Sequence, residues 1–334
     1  MIILGIETSC DETAAALVKN GSLVISSMVV SSEKIHTKFG GIMPEKAARE
    51  QINCIIPVIQ KTFKKSLLLK PISSINAISV TIGPGLIGSL LVGIETAKTL
   101  SYILKKPIIP INHLIAHIYA NFLFNHKAKP KFPALCLIAS GGHTELVLMK
   151  NHDKFQLLGN TRDDAAGECF DKCSRLLNLG YPGGPAIEKI AKTVKQAKMI
   201  LPRPMINSKN LDFSFSGLKT AVLNIIRTKK YKQEVIASEV QEAITDVLVA
   251  KTIKAAKIFN INSILLGGGV TANQRLRQKL RLEINKNKVK RVRLFIPDKK
   301  LSTDNAVNIA IAAFYNYKPI PWQKIKPNPS LEIV

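Results

Sequence analysis

The sequence predicts an α/β fold built twice over in one chain, and three observations predict it. Apolar, strand-like runs alternate with longer helix-like stretches in both halves. At 334 residues and 46% hydrophobic content, the chain can bury two cores more readily than one. Two distant segments share one plan of apolar run, small polar turn and apolar run: Ile3 to Val18 around ETSCDET, and Leu135 to Met149 around SGGHTE.

Each of these two turns is rich in Ser, Thr or Gly, which lets backbone N–H groups and hydroxyls approach an anion closely. A facing pair of such turns would hold a phosphate chain between two domains, with two ordinary hairpins as the plain alternative. After the first hairpin, Asn76 to Ile82 reads as a buried strand. It runs into the turn Gly83-Pro84-Gly85-Leu86-Ile87-Gly88 and then a helix to Leu104. A short strand, Pro107 to Ile111, leads into a helix from Asn112 to Phe124. The polar, Lys- and Pro-rich stretch Asn125 to Phe132 sets the boundary between domains 1–125 and 126–334, with the C-terminal helix free to pack back on the first.

Beyond the second hairpin the pattern gives a helix over Asp163 to Leu179, a glycine turn over Tyr181 to Gly184, and a helix over Pro185 to Gln196. Leu211 to Phe215 alternates like a strand, and two helices follow over Gly217 to Arg227 and Lys232 to Phe259. The last unit is strand Ser263 to Leu266, a GGGV loop, helix Asn273 to Asn285, strand Val292 to Ile296 and helix Thr303 to Tyr315.

Composition narrows the function classes. The most apolar stretch, Ile78 to Ile94, is broken by Gly83, Pro84, Gly85 and Gly88, so no membrane crossing is expected. The first residues lack the basic leader of a signal peptide, and five cysteines without C-x-x-C spacing argue against a disulfide framework or a zinc ribbon. A cytoplasmic protein is expected. The 48 Lys and Arg against 23 Asp and Glu leave a net charge of +25, which suits a nucleic acid partner. The excess is mostly Lys, 38 against 10 Arg, so drift in an AT-rich genome competes with a binding surface as its origin.

His113-Leu-Ile-Ala-His117 stacks two imidazoles on one helical face, the spacing with which a helix gives two ligands to one metal. The position after the first His holds Leu114, where the zinc-protease pattern H-E-x-x-H needs a general-base Glu. A metalloprotease is therefore disfavoured. Asp304, in Ser302-Thr303-Asp304-Asn305 at a helix start, is the candidate third ligand of a two-histidine, one-carboxylate set; a plain helix N-cap is its alternative. The long separation of Asp304 from the histidines leads to the expectation that both domains contribute to metal binding. The loop Gly267-Gly268-Gly269-Val270-Thr271-Ala272-Asn273 lets a flat nucleotide lie against bare backbone within reach of Asn273, and lacks the spacing of a dinucleotide-binding fingerprint. Asp163, Asp164, Glu168 and Asp171 crowd a helix start, which the macrodipole alone accounts for.

The ordered motifs ETSCDETAAALV, GPGLIGSLLVG, NHLIAH, SGGHTELV, DDAAGECFDK, YPGGP, FSFSGLKTAV, GGGVTANQRLR and STDNA span nearly the whole chain. In them the sequence closely resembles the tRNA threonylcarbamoyladenosine transferases, the TsaD family, long mislabelled as O-sialoglycoprotein endopeptidases. The resemblance implies a two-domain actin-like ATPase fold (ASKHA: actin, sugar kinase, Hsp70) with a duplicated core. It implies one divalent metal, iron(II) with zinc as the alternative, on His113, His117 and Asp304. The implied substrate is threonylcarbamoyl-AMP, with ATP or ADP able to occupy the same site. Its contacts carry over to Ile138, Ala139, Ser140, Gly141, Gly142, Asp171, Gly184 and Asn273, and to Glu188 as a ribose contact.

Two positions depart from the family pattern: Gln51 replaces a usual His, and Glu188 replaces a frequent Asp. The implied reaction moves the threonylcarbamoyl group onto the exocyclic amine of the tRNA adenosine 3′ of the anticodon, in tRNAs reading codons that begin with A. Asp11 and Glu12, beside the first turn, are the candidate acceptors of the amine proton, with shaping of the turn as the alternative. The implied partners are tRNA, an inactive paralogue of the same fold (TsaB-type) and a small ATPase (TsaE-type), or a homodimer when alone. A non-catalytic ATP-binding scaffold is the rival reading.

Overall fold

The computed structural model describes residues 1–37, 39–70, 72–123, 129–194, 199–287 and 292–333. The boundary expected at 125/126, and the ends of the helices expected to reach Phe124 and Gln196, lie outside the described residues. In chain order the elements begin β1 (Ile2–Glu7), β2 (Glu12–Lys19), β3 (Leu23–Ser31), α1 (Glu33–Thr37), α2 (Pro44–Lys65), β4 (Ala77–Gly83), α3 (Ile87–Leu104), β5 (Ile108–Asn112) and α4 (His113–Tyr119). They continue with β6 (Ala134–Ala139), β7 (Thr144–Asn151), β8 (Lys154–Asn160), α5 (Ala166–Leu176), α6 (Gly183–Ala191), α7 (Ser216–Thr228) and α8 (Gln233–Ile258). The last are β9 (Ser263–Gly267), α9 (Gln274–Lys286), β10 (Arg293–Phe295), α10 (Lys299–Ser302) and α11 (Ala306–Tyr315).

Two compact units result, Met1–Lys129 with Pro297–Val334, and Pro130–Ile296. The segment after Pro297 thus belongs to the first unit, not to a second domain running to 334. Each unit has one five-stranded sheet, ordered β3-β2-β1-β4-β5 in the first and β8-β7-β6-β9-β10 in the second. In both, the first three strands are antiparallel and the last two continue parallel to the hairpin's first strand. The two hairpins that share a sequence plan occupy equivalent places in two copies of one topology.

Strands covered on both faces read as largely apolar runs, as β6 and β1 before its final Glu7 do, whereas β4 holds Ser79 and Thr81 within its buried run. Helix α2 buries Ala47, Gln51, Ile55, Val58, Ile59 and Thr62, one stripe at three- and four-residue spacing, and starts with Pro44, whose missing N–H costs nothing at that position. Helix α8 is buried nearly all round and forms the spine of the second core, which extends from Leu135 through Phe213 to Ile264. Helix α11 is apolar apart from the buried Asn308 and lies against β1 so closely that a Cβ on Gly5 would meet the Ala306 carbonyl at 2.2 Å. That approach brings the residues preceding α11 to the first unit.

By length and composition α3 passes the test for a membrane span. Its buried stripe, Ser89, Leu90, Gly93, Ile94, Ala97 and Ser101, packs within the first unit, as a core helix does. Leu211 to Phe215 forms no strand; one bridge joins Phe213 to Thr161. Its alternation is real, with Phe213 and Phe215 buried, but the polar positions are taken by side chains: Arg162 holds Asp212, and Ser214 donates to Asp163.

Candidate active site

The carboxyl end of β5 runs straight into α4, and the junction residue Asn112 caps the helix: its Oδ1 accepts from the N–H groups of Leu114 and Ile115 at 2.8 and 3.2 Å. The first residue inside the cap is His113, and one turn later His117 lies with its ring 4.5 Å from that of His113. Both are buried. Asp304 Oδ1 lies 3.4 Å from His113 Nε2 and 3.3 Å from His117 Nε2. One potential ligand atom from each of the three falls within 4.8 Å of the others, the only such group of three among the described residues.

Asp304 is not a helix cap. Asn305, in extended conformation, takes that role for α11 by accepting from the Asn308 N–H at 3.0 Å, which leaves the Asp304 carboxylate to face the histidines. All three residues lie in the first unit. The centre therefore draws on one unit, not on both as the sequence separation of its ligands implied, because the chain returns to the first unit after Pro297.

Glu7, at the end of β1, is buried and orients the first histidine. Its Oε2 lies 3.0 Å from His113 Nδ1 and accepts from Thr81 Oγ1 at 2.7 Å, while Oε1 accepts from the Ser9 N–H at 2.5 Å. A carboxylate only accepts, so Nδ1 carries a proton, and Nε2 is the nitrogen that faces Asp304 and His117. Ser9 Oγ, 3.2 Å from Nδ1, adds to this hold. His117 Nε2 is buried without a hydrogen-bond partner. A buried imidazole nitrogen left open beside a carboxylate and a second imidazole is what a divalent cation would satisfy, so the residues fit a metal. The sequence reading missed Glu7 and Ser9. The available signal was an acid ending an otherwise apolar strand, a position that burial makes costly unless the charge is used.

The electrostatics agree with the geometry. Burial pushes the His113 pKa down, but the Asp304 and Glu7 charges outweigh it and hold the imidazole well above its ordinary value. Burial raises Asp304, and the two histidines more than reverse this, keeping it far below the carboxylate range. Glu12 is pushed well above its ordinary value by burial and then by the charges of Asp304 and Asp11. Cys10 is raised by the same burial and neighbours. Glu12 is thus within electrostatic reach of the centre, with Asp11 beside it. Gln51, buried on α2, fixes their turn: its Nε2 donates toward the carbonyls of Thr8, Cys10 and Glu12 at 3.3, 3.0 and 3.0 Å.

The second unit assembles the remaining candidates beyond the carboxyl ends of parallel strands β6 and β9. Ile138 and Ala139 finish β6 and are buried, whereas Ser140, Gly141 and Gly142 form the turn to β7. The Ser140 N–H donates to the His143 carbonyl at 2.9 Å. Here the glycines sort into two kinds. A Cβ on Gly167 would strike the Ser140 carbonyl at 2.4 Å, and one on Gly268 the Ala139 carbonyl at 2.4 Å, so these permit close backbone packing. A Cβ on Gly141, Gly142, Gly184 or Gly269 would meet nothing within 4 Å. Their backbone faces open space that packing does not use, a cradle available to a ligand.

Asp171 accepts from the Gly183 N–H at 2.7 Å and so ties α5 to the start of α6; burial raises its pKa against that bond. Glu188 Oε1 accepts from the Gln274 N–H at 3.2 Å. Asn273 caps α9 through Oδ1, which accepts from Leu276, and its Nδ2 donates to Gln241 Oε1 at 2.9 Å. Glu188 also borders a cavity of about 410 Å³ that Gln274, Arg275 and Arg203 help to line. The structure therefore joins 138–142 to Gly167 and Gly268, Asp171 to Gly183, and Glu188 to the residue after Asn273.

Two mixed α/β sheets of identical strand order, one unit with a two-histidine, one-carboxylate group on buried imidazoles and the other with an open glycine-lined turn, define the duplicated fold of the ASKHA class. Solved structures of that class share the fold. The activator of the 2-hydroxyisocaproyl-CoA dehydratase from Clostridium difficile, with bound ADPNP, superposes with TM-score 0.55 at 16% identity over 95% of each chain. HypF from T. kodakarensis gives 0.62 at 14% identity over 95% of this chain and 47% of its own.

Sequence relatives are far nearer. The profile of the TsaD family, tRNA N6-adenosine threonylcarbamoyltransferase, matches residues 23–311. The enzyme of that name from Thermosipho melanesiensis is 51% identical over 94% of each chain, and that from Syntrophomonas wolfei 48% identical over 95% of this chain and 92% of its own. The chain belongs to the tRNA N6-adenosine threonylcarbamoyltransferase family, and it is a tRNA-modifying transferase.

Proposed function

We propose that this chain transfers the threonylcarbamoyl group from threonylcarbamoyl-AMP to the exocyclic amine of the adenosine immediately 3′ of the anticodon, in tRNAs reading codons that begin with A. The amine nitrogen bonds to the carbamoyl carbon, the bond from that carbon to the AMP phosphate oxygen breaks, and AMP leaves with the electron pair. The amine is a weak nucleophile, so positioning and removal of its proton carry the catalytic burden.

Glu12, with Asp11 beside it, accepts that proton. Burial and neighbouring acids raise its affinity for a proton, and a cation held at Asp304 offsets part of that rise. Ser140, Gly141 and Gly142 offer backbone to the adenylate phosphate, with Ile138 and Ala139 setting their position. Gly184 gives the nucleotide room, while Asp171, Glu188 and Asn273 form its polar border. His113, His117 and Asp304 hold one divalent metal, iron(II) with zinc as the alternative, which when bound supplies Lewis-acid polarisation of a substrate oxygen. ATP or ADP fits the same nucleotide cradle. The protein works in the cytoplasm on tRNA, with an inactive paralogue of its own fold and a small ATPase as partners, and as a homodimer without them.

The observation that carries this reading over a non-catalytic ATP-binding scaffold is the buried ligand set, with His113 oriented by Glu7 and His117 Nε2 left open. A scaffold has no use for it. The test supplies the metal-loaded protein and its partners with threonylcarbamoyl-AMP and unmodified tRNA. AMP release with one threonylcarbamoyl mass added per tRNA is expected. No modified nucleoside from the complete mixture overturns the reading.

A further inference from the structure

After α11 the chain passes back over the glycine turn that ends β4. The Asn328 N–H donates to the Ile82 carbonyl at 2.7 Å, and the Gly85 N–H donates to the Pro329 carbonyl at 3.1 Å. The fit is tight: a Cβ on Gly83 would meet the Asn328 carbonyl at 1.8 Å and the Leu331 Cβ at 3.1 Å. One residue further on, the Glu332 carbonyl accepts from Asn112 Nδ2 at 2.9 Å. The same Asn112 amide caps α4 with its oxygen, so one side chain joins the C-terminal segment to the helix that begins with His113.

A second connection leads to the same imidazole. The turn under the segment lies against the first hairpin: the Leu86 N–H donates to the Ser9 carbonyl at 2.8 Å, and a Cβ on Gly85 would meet that carbonyl at 2.4 Å. Ser9 Oγ in turn lies 3.2 Å from His113 Nδ1. Residues 328–332 thus touch one support of His113, its helix cap, and reach the other, Ser9, through the intervening turn 83–86.

We propose that residues 328–332 are a positioning strap for the metal centre, held by the Asn112 amide and by the half-buried Leu331, which lies over Gly83. None of these residues is a ligand. The strap fixes where α4 begins and where Ser9 sits, and so fixes the direction of the His113 Nε2 lone pair. The proposal rests on His113, His117 and Asp304 being the metal site, and two measurements keep the two ideas apart.

The first measurement is titration of the metal-free, full-length protein with Co²⁺, followed by its visible absorption, for Asn112→Ser, Leu331→Ala and the double variant. Serine keeps a neutral helix cap but is too short to hold the strap. Each single variant is expected to bind Co²⁺ about tenfold more weakly, as loss of outer support for a ligand does, with an altered spectrum and little change in the melting temperature of the metal-free protein. The double variant is expected to lose no more than the weaker single one, because both remove one device. Native Co²⁺ affinity in both single variants, or losses that multiply in the double one, overturns the strap.

The second measurement needs no metal. Amide exchange in the metal-free protein is expected to quicken over 83–87 and 113–119 in Leu331→Ala, while the second unit keeps its native rate. Unchanged exchange there overturns the strap even if the chain binds no Co²⁺. Absence of Co²⁺ binding by the native protein, with quickened exchange in the variant, removes the metal assignment and leaves the strap standing.

Discussion

Glu7 shows how one buried charge can be both costly and useful. Its carboxylate accepts from Ser9 and Thr81 and reaches His113 Nδ1, so every contact it makes serves to aim the imidazole. Glu7→Gln keeps the shape but removes the charge, and metal affinity measured by chelator competition is expected to fall about 10- to 100-fold. Unchanged affinity would reduce Glu7 to a packing role.

The same centre makes a pH prediction. In the metal-free protein the raised His113 contributes stability that is complete below its unfolded value of about 6.5 and is lost as pH rises through its folded value. The depressed Asp304 contributes stability above its unfolded value of about 3.9, lost only as pH falls through its folded value. A metal needs neutral imidazole, so its binding releases the His113 proton and strengthens as pH rises. The gain in melting temperature on adding metal is expected to be larger at about pH 8.5 than at about pH 6.5. Equal gains would exclude His113 from the ligands.

Glycines at the ends of helices and strands look alike in sequence and act differently in place. Gly167 lets α5 start against the Ser140 carbonyl, so Gly167→Ala should cost about 1–3 kcal/mol of stability even though alanine favours helix. Gly141 packs against nothing, so Gly141→Ala should leave the melting temperature unchanged and weaken adenylate binding. Calorimetry of both variants with nucleotide titration separates the two; a destabilised Gly141→Ala would make that turn a packing element. Sequence could not make this distinction, because it depends on which carbonyl lies opposite. Elements whose apolar runs are bounded by glycine or small polar turns were legible, such as the paired hairpins, α3 and the β9 loop into α9, as was the long Gly- and Pro-free run of α8. The edge strand β3 went unread because its Ser residues interrupt the apolar run, and helix α2 went unread although its buried stripe keeps helical spacing. Asp304 was found by motif, while its freedom from capping came from Asn305, one position on.

At the level of the whole chain, duplication was visible in two polar turns, and the structure extends it to two sheets with the same order and strand directions. Charge is the property that neither fold nor site explains. Pairing every Asp and Glu with a cation still leaves the net +25 unmatched, and many Lys side chains on α2 and between α7 and α8 are exposed. Two origins give different outcomes. If the excess forms a tRNA-binding surface with six or more phosphate contacts, log affinity should fall linearly with log salt, losing on the order of a thousandfold between about 50 and 200 mM. If it reflects codon composition, as 38 Lys to 10 Arg would suit, affinity should hardly respond to salt in that range. The measurement is tRNA binding across a salt series. Lys229→Glu with Lys230→Glu, in the exposed α7–α8 turn, tests a local share of it. A lower slope in that variant would place phosphate contacts there, and a native slope would place them elsewhere, whereas a flat series in the native protein would end the electrostatic account altogether.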